Sequence, residues 1–64
     1  MKITQQVLKN KFKTNSVIIN GRLIVYTDDT KLVSRITRVL SIKNKANYVN
    51  EIVGNTFIIK PIFL

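Results

Sequence analysis

Apolar positions along this chain follow two rhythms, a short-period one on either side of two turns and a helical one between the turns. Ser16–Ile19 and Arg22–Thr27 are runs rich in β-branched residues, separated by Asn20-Gly21. Asn-Gly between such runs predicts a hairpin, because a type I′ turn needs positive φ at both central positions. Gly54-Asn55 separates Tyr48–Val53 from Thr56–Lys60 in the same way, and a leading glycine suits a type II′ turn. With two-residue loops, Ile19 pairs with Arg22 and Val53 with Thr56.

Between the hairpins, Leu32, Val33, Ile36, Val39 and Leu40 recur at helical spacing over an arc of roughly 120°, which predicts a helix near residues 30 to 42. Asp28-Asp29-Thr30 opens it, with acids at the positive end of the helix dipole. Lys43-Asn44-Lys45-Ala46-Asn47 reads as a polar loop. Near the start, Ile3, Val7, Leu8 and Phe12 fall along one broad side of a first helix, although an extended start fits nearly as well. The expected fold class is α+β: residues 1–64 form one small basic domain of order α-β-β-α-β-β, with two antiparallel hairpins packed against one or two helices. Ile3-Thr4, Val7-Leu8 and Lys9-Asn10-Lys11 are echoed by Ile36-Thr37, Val39-Leu40 and Lys43-Asn44-Lys45, which hints at a duplicated αββ unit. Low complexity in Lys, Asn and Ile generates such echoes too, and the same bias suits an AT-rich genome such as that of a phage or plasmid.

Strand alternation exposes a surplus of apolar surface. Val17, Ile19, Ile24 and Tyr26 share one face of the first hairpin, and Ile18, Leu23 and Val25 the other. In the second, Ile52, Phe57 and Ile59 oppose Val49, Val53 and Ile58. A half-exposed antiparallel sheet alternates more cleanly than this, so helices, a second copy or a foreign partner must cover the excess. Pro61-Ile62-Phe63-Leu64 places three more apolar residues at the terminus, where they either plug the core or join an interface. A homodimer is favoured over a monomer, with Val53, Ile58, Ile62, Phe63 and Leu64 as interface residues. Symmetric closure is expected to bring two basic surfaces into one larger field.

Charge changes the picture most. Eleven Lys and Arg stand against three acids, giving a formal charge of +8 and a pI near 10.4. Such a field attracts polyanions, most simply nucleic acid. Lys31, Arg35 and Arg38 fall at i, i+4 and i+7 beside the apolar arc, and Lys2, Lys9 and Lys13 lie together on the first helix with Gln6. Lys43 and Lys45 extend the set in the loop, and Arg22 at the first hairpin tip. Charged residues on surface helices ordinarily just solvate an outer face, and Arg22 is an ordinary turn residue. Solvated faces, however, mix both signs, and these helices carry no acid beyond the Asp28-Asp29 cap.

Other chemistry is thinly represented. The chain has no Cys and no His, so a disulfide framework, a Cys/His zinc site and the usual acyl-transfer dyads are excluded. Absence of Cys is compatible with a reducing cytoplasm, the expected location. No apolar run approaches the ~20 residues of a membrane span, and Met1–Phe12 does not read as a signal peptide, because polar residues break up Ile3, Val7 and Leu8. Asp28 and Asp29 are taken up in capping, and Glu51 is a charge on the solvent side of a strand. No catalytic residue, metal or cofactor is expected, and the chain reads as a non-enzyme. Phe12, Phe57 and Phe63 are expected in the core, while Tyr26 and Tyr48 stay ambiguous between core and base-stacking roles.

The chain is therefore expected to be a small basic nucleic-acid-binding protein acting through phosphate contacts, with Lys31, Arg35, Arg38, Lys9, Lys13, Lys43, Lys45 and Arg22 as its contact residues. DNA and RNA present the same phosphates, so the pattern does not choose between them. The alternative is a protein-interaction module, such as a phage-type inhibitor, adaptor or assembly subunit docking on a host protein through its apolar sheet face. The third is a ribosome-associated RNA-binding protein.

Overall fold

In the computed structural model, which describes residues 2–63, both predicted turns close as two-residue loops. Asn20 and Gly21 take φ of 53° and 73°, the paired positive values of a type I′ turn, and Gly54 alone is positive at 63° in the second. The strands they join are β1 (Asn15–Ile19) with β2 (Arg22–Thr27), and β3 (Tyr48–Val53) with β4 (Thr56–Pro61). Ile19 pairs with Arg22 and Val53 with Thr56, as the loop lengths require. No Cβ neighbour crowds Gly21 within 4 Å, so only its backbone angle forbids a branched side chain. Gly21→Val is expected to cost about 1–2 kcal/mol through the left-handed φ, and Gly21→Asn much less. Urea midpoints check this; equal midpoints for the two variants would remove the turn from the account.

The two hairpins join through their second strands, giving one antiparallel sheet of order β1-β2-β4-β3. Val25 lies opposite Ile59 at this junction. A single shift relates the hairpins: Arg22–Thr27 falls on Thr56–Pro61 and Asn20-Gly21 on Gly54-Asn55, each displaced by 34 residues (56 − 22). Val25 and Ile59 are displaced by the same shift, so the pair sits on the pseudo-two-fold relating the two halves. The repeated pattern is thus matched in the strands. The helices differ, because α2 (Thr30–Lys43) runs for 14 residues while the first segment is irregular.

That first segment has a three-residue α-helix, α1 (Gln5–Val7), passing directly into a π-helical stretch (Leu8–Phe12). Thr4 caps it by accepting the Val7 N–H at 3.3 Å. Lys13 ends it in the left-handed region at φ 57°, and Thr14 N–H donates to the Leu8 carbonyl at 3.2 Å. Leu8, at the start of this stretch, is fully buried. Lys2 precedes the helix, so the expected row of Lys2, Lys9 and Lys13 does not form: one lies before the helix, one on it and one in its cap.

Both helical segments lie on one face of the sheet. Leu8, Val33, Ile36 and Leu40 pack against Leu23, Val25, Tyr48 and Ile59 as one buried cluster, with Phe12 and Phe57 at its margin. Tyr48 is therefore a core residue. Asp29 caps α2 by accepting the Lys31 N–H at 2.9 Å, whereas Asp28 accepts from Thr56 Oγ1 at 3.0 Å and ties down the second hairpin tip. Only one of the two acids therefore does the capping expected of both. Asn44 is more than a loop residue: its Oδ1 accepts the Ile3 N–H at 2.8 Å and its Nδ2 donates to the Ile3 carbonyl at 3.3 Å. This bidentate contact fastens the start of the chain to the end of α2.

Candidate nucleic-acid interface

The long helix supplies the ordered part of the site. Val33, Ile36 and Leu40 are buried against the sheet, and Lys31, Arg35 and Arg38 are exposed on its far side. At about 100° per residue these three cations fall within an arc of roughly 60°. Their span is about 10 Å along the axis at ~1.5 Å per residue, close to three strand steps of ~3.4 Å each along a duplex. Ile42 stands in the same arc and is 63% exposed, an apolar contact among the cations.

No carboxylate of the described residues forms an ion pair with this stripe. Among the described residues, one ion pair forms, between Lys60 Nζ and Glu51 Oε1 at 3.1 Å on the sheet. Asp28 and Asp29 sit at the opening of α2, where Asp29 is engaged by the Lys31 backbone and Asp28 by Thr56. Arg35 and Arg38 therefore keep an unopposed positive field, while Lys31 stands within three residues of both acids without an ion pair to either.

The remaining sequence-derived residues divide into three places. Arg22 and Lys45 line one hollow of about 360 Å³ at the end of the molecule where α2 stops, with Lys43 exposed in the last turn. Lys45 adopts the left-handed region at φ 52° in the loop that follows. Lys9 lies instead on a groove beside β1 with Gln5, Gln6 and Ser16, where Gln5 Nε2 donates to the Ser16 carbonyl at 2.9 Å. Lys13 is at the opposite end, in a hollow of about 500 Å³ that it shares with Asp28 and Asp29. Its field is thus opposed by the two acids. The chain brings Lys31, Arg35, Arg38 and Lys43 onto one helix and adds Arg22 and Lys45 beyond its end; Lys9 and Lys13 stand apart.

Two residues join the basic end that the sequence pattern places elsewhere, Lys2 in a row with Lys9 and Lys13 and Phe63 in the core. Lys2 lines a groove of about 640 Å³ with Arg22, placed there by the contact between Ile3 and Asn44. Phe63, expected in the core, is 85% exposed and shares the hollow of Arg22 and Lys45. Pro61 is the last residue of the tail to be buried; Ile62 is 54% exposed, and its N–H donates to the Asn47 carbonyl at 2.9 Å. Leu64 lies outside the described residues. The tail therefore does not plug the core through Ile62 or Phe63.

The sheet face away from the helices is a separate surface. The register assigns it Val17 and Ile19 from β1, Ile24 and Tyr26 from β2, Ile58 and Lys60 from β4, and Val49, Glu51 and Val53 from β3. Ile24 is only 3% exposed although it lies outside the helix-facing cluster, so side chains on this face pack on one another. Val17, Ile19, Val49 and Val53 remain exposed.

Among the described residues, no three His, Cys, Asp or Glu side chains come together, and no helix is long and apolar enough to cross a membrane. Comparison with known protein families, curated proteins and solved structures finds no match for this chain.

Proposed function

We propose that this protein binds nucleic acid by phosphate neutralisation, through the outer face of α2 and the basic end beyond it. The carrying observation is that Lys31, Arg35 and Arg38 share one exposed helix face with no carboxylate partner among the described residues. Arginine grips phosphate through a bidentate fork and lysine adds point charge, so the stripe suits a backbone rather than base edges. Lys43, Lys45, Arg22 and Lys2 continue the positive surface to the hairpin tip, and exposed Phe63 offers a ring beside two of these cations for an unstacked base. Lys9 is a peripheral contact in this reading, and Lys13 a weak one.

Titration of a labelled duplex and of a structured RNA over a salt series tests the proposal. About five neutralised phosphates of B-form DNA give a log–log slope of about −4.5. A flat salt dependence, or no binding to either polymer at low salt, would refute it. Tighter binding to the RNA would favour the ribosome-associated form of the same reading.

The apolar sheet face supports a second reading, a surface for protein partners. Val53 and Ile58 lie on it, whereas Ile62 lies in the turn after β4 and Phe63 belongs to the basic end. Of the described interface residues expected from the sequence, Val53 and Ile58 thus share the sheet face, and self-association is assigned to that face alone.

A further inference from the structure

We propose that the open sheet face docks a second copy of this chain, and that the back-to-back dimer bridges two separate nucleic-acid segments. The bridging half rests on the nucleic-acid reading above; the docking half does not.

Charge selects the occupant. Each copy carries +8, and two such bodies repel wherever unpaired cations meet. On the sheet face the cation of β4 is already matched, Lys60 to Glu51 at 3.1 Å, and Arg22 lies at the margin by the hairpin tip. The body of that face is therefore the place where two copies can close without stacking uncompensated charge. A polyanion, by contrast, has nothing to hold there.

Shape agrees, and size sets the strength. Four strands ~4.8 Å apart, about six residues long at ~3.3 Å each, span roughly 20 × 20 Å. That is a large share of a molecule whose principal extents are 29 × 26 × 18 Å. Two such faces bury about 800 Å² in total, below the ~1,200–2,000 Å² of stable specific interfaces, so the pairing is a weak one that depends on concentration. Val17, Ile19, Val49 and Val53, exposed by 40%, 45%, 37% and 59%, surround the packed Ile24, which suits face-to-face sheet packing. A two-fold axis then sets like apolar patches together.

The consequence for function follows from the layers. With both helical segments on the side of each sheet that turns away from the contact, the dimer is an α/β/β/α stack. In this arrangement its two α2 stripes face in opposite directions, in place of the single merged field that the sequence pattern suggests. Each copy holds its own polyanion, and the pair links two.

The experiment combines mass and capture. Light scattering of the intact chain without nucleic acid should give a mass rising from 7.4 kDa towards twice that value with concentration. An immobilised duplex loaded with protein should then capture a second, differently labelled duplex. The V17K/V53K variant places new cations in the contact while leaving α2 untouched. It should stay near 7.4 kDa and lose capture at least tenfold, with single-duplex affinity unchanged or raised and its circular dichroism native. A wild-type mass fixed at 7.4 kDa at millimolar concentration overturns the docking, as does an undiminished dimer in a folded variant. Dimerisation and duplex binding without capture overturn the bridging. Dimerisation without any duplex binding refutes the nucleic-acid reading and with it the bridging, while the docking stands.

Discussion

Replacing Lys31, Arg35 and Arg38 together by Ala is expected to weaken duplex binding about 500-fold at 0.1 M salt. Each phosphate contact contributes about −0.9 to the log–log salt slope, so loss of three moves it from about −4.5 to about −1.8. If the two lines meet near 1 M, where counterion release no longer drives binding, a slope difference of about 2.7 becomes a factor of ~500 over the decade down to 0.1 M. The fold should survive, because all three side chains are exposed and Ala is the strongest helix former. Lys9 and Lys13 give the internal comparison. Alanine at both removes nearly as much charge, but Lys13 shares its hollow with Asp28 and Asp29, and Lys9 lies beside β1. That pair should cost far less, on the order of one contact. Equal losses for the two sets would mean that net charge alone governs binding and that the helix face has no special place in it. Unchanged affinity in the triple variant would remove the stripe from the account.

The contrast between those two sets marks where the chain could be read directly. Turn positions are local: Asn20-Gly21 must take positive φ wherever a two-residue hairpin forms, and strand alternation then sorts Val17, Ile24 and Tyr26 from Ile18, Leu23 and Val25 without further information. The face of α2 is local too, since helical periodicity alone separates Ile36 from Arg35 and Arg38. What spacing cannot supply is the pairing of β2 with β4, which joins Val25 to Ile59 across the whole of α2. That pairing makes one sheet of two hairpins and puts both helical segments on the same side. The neighbours of Lys13 follow instead from the first hairpin: Asn15 pairs with Tyr26, so Lys13, ahead of β1, meets Asp28 and Asp29, just after β2. At the N-terminal segment, a π-helical turn replaces the α-helical spacing from which the row of Lys2, Lys9 and Lys13 was inferred. Phe63 was assigned to the core on residue type, but the buried cluster is complete without it and Pro61 has already filled the last position under the loop.

Ile36→Ala should lower the melting temperature of the protein by more than about ten degrees. Ile36 is 0% exposed and lies in the cluster formed with Leu8, Leu23, Val25 and Ile59, so truncation opens a cavity at the junction of helix and sheet. Such changes cost about 2–5 kcal/mol, offset by only a few tenths from the better helix propensity of Ala. A chain of this length has roughly 3–10 kcal/mol to lose at 0.05–0.15 kcal/mol per residue, and it has no disulfide to hold it. A loss of ~3 kcal/mol corresponds to a fall in melting temperature of about 12–24 °C for so small a domain. Arg35→Ala, one residue away on the opposite face, should shift melting by no more than a few degrees. Thermal melts of the two variants followed by circular dichroism separate the cases, and similar small shifts would contradict the packing of α2 on the sheet. The melt also bears on the docking surface. A dimer formed only by folded chains makes melting concentration-dependent, so wild-type protein should melt higher as it is concentrated, while V17K/V53K should not.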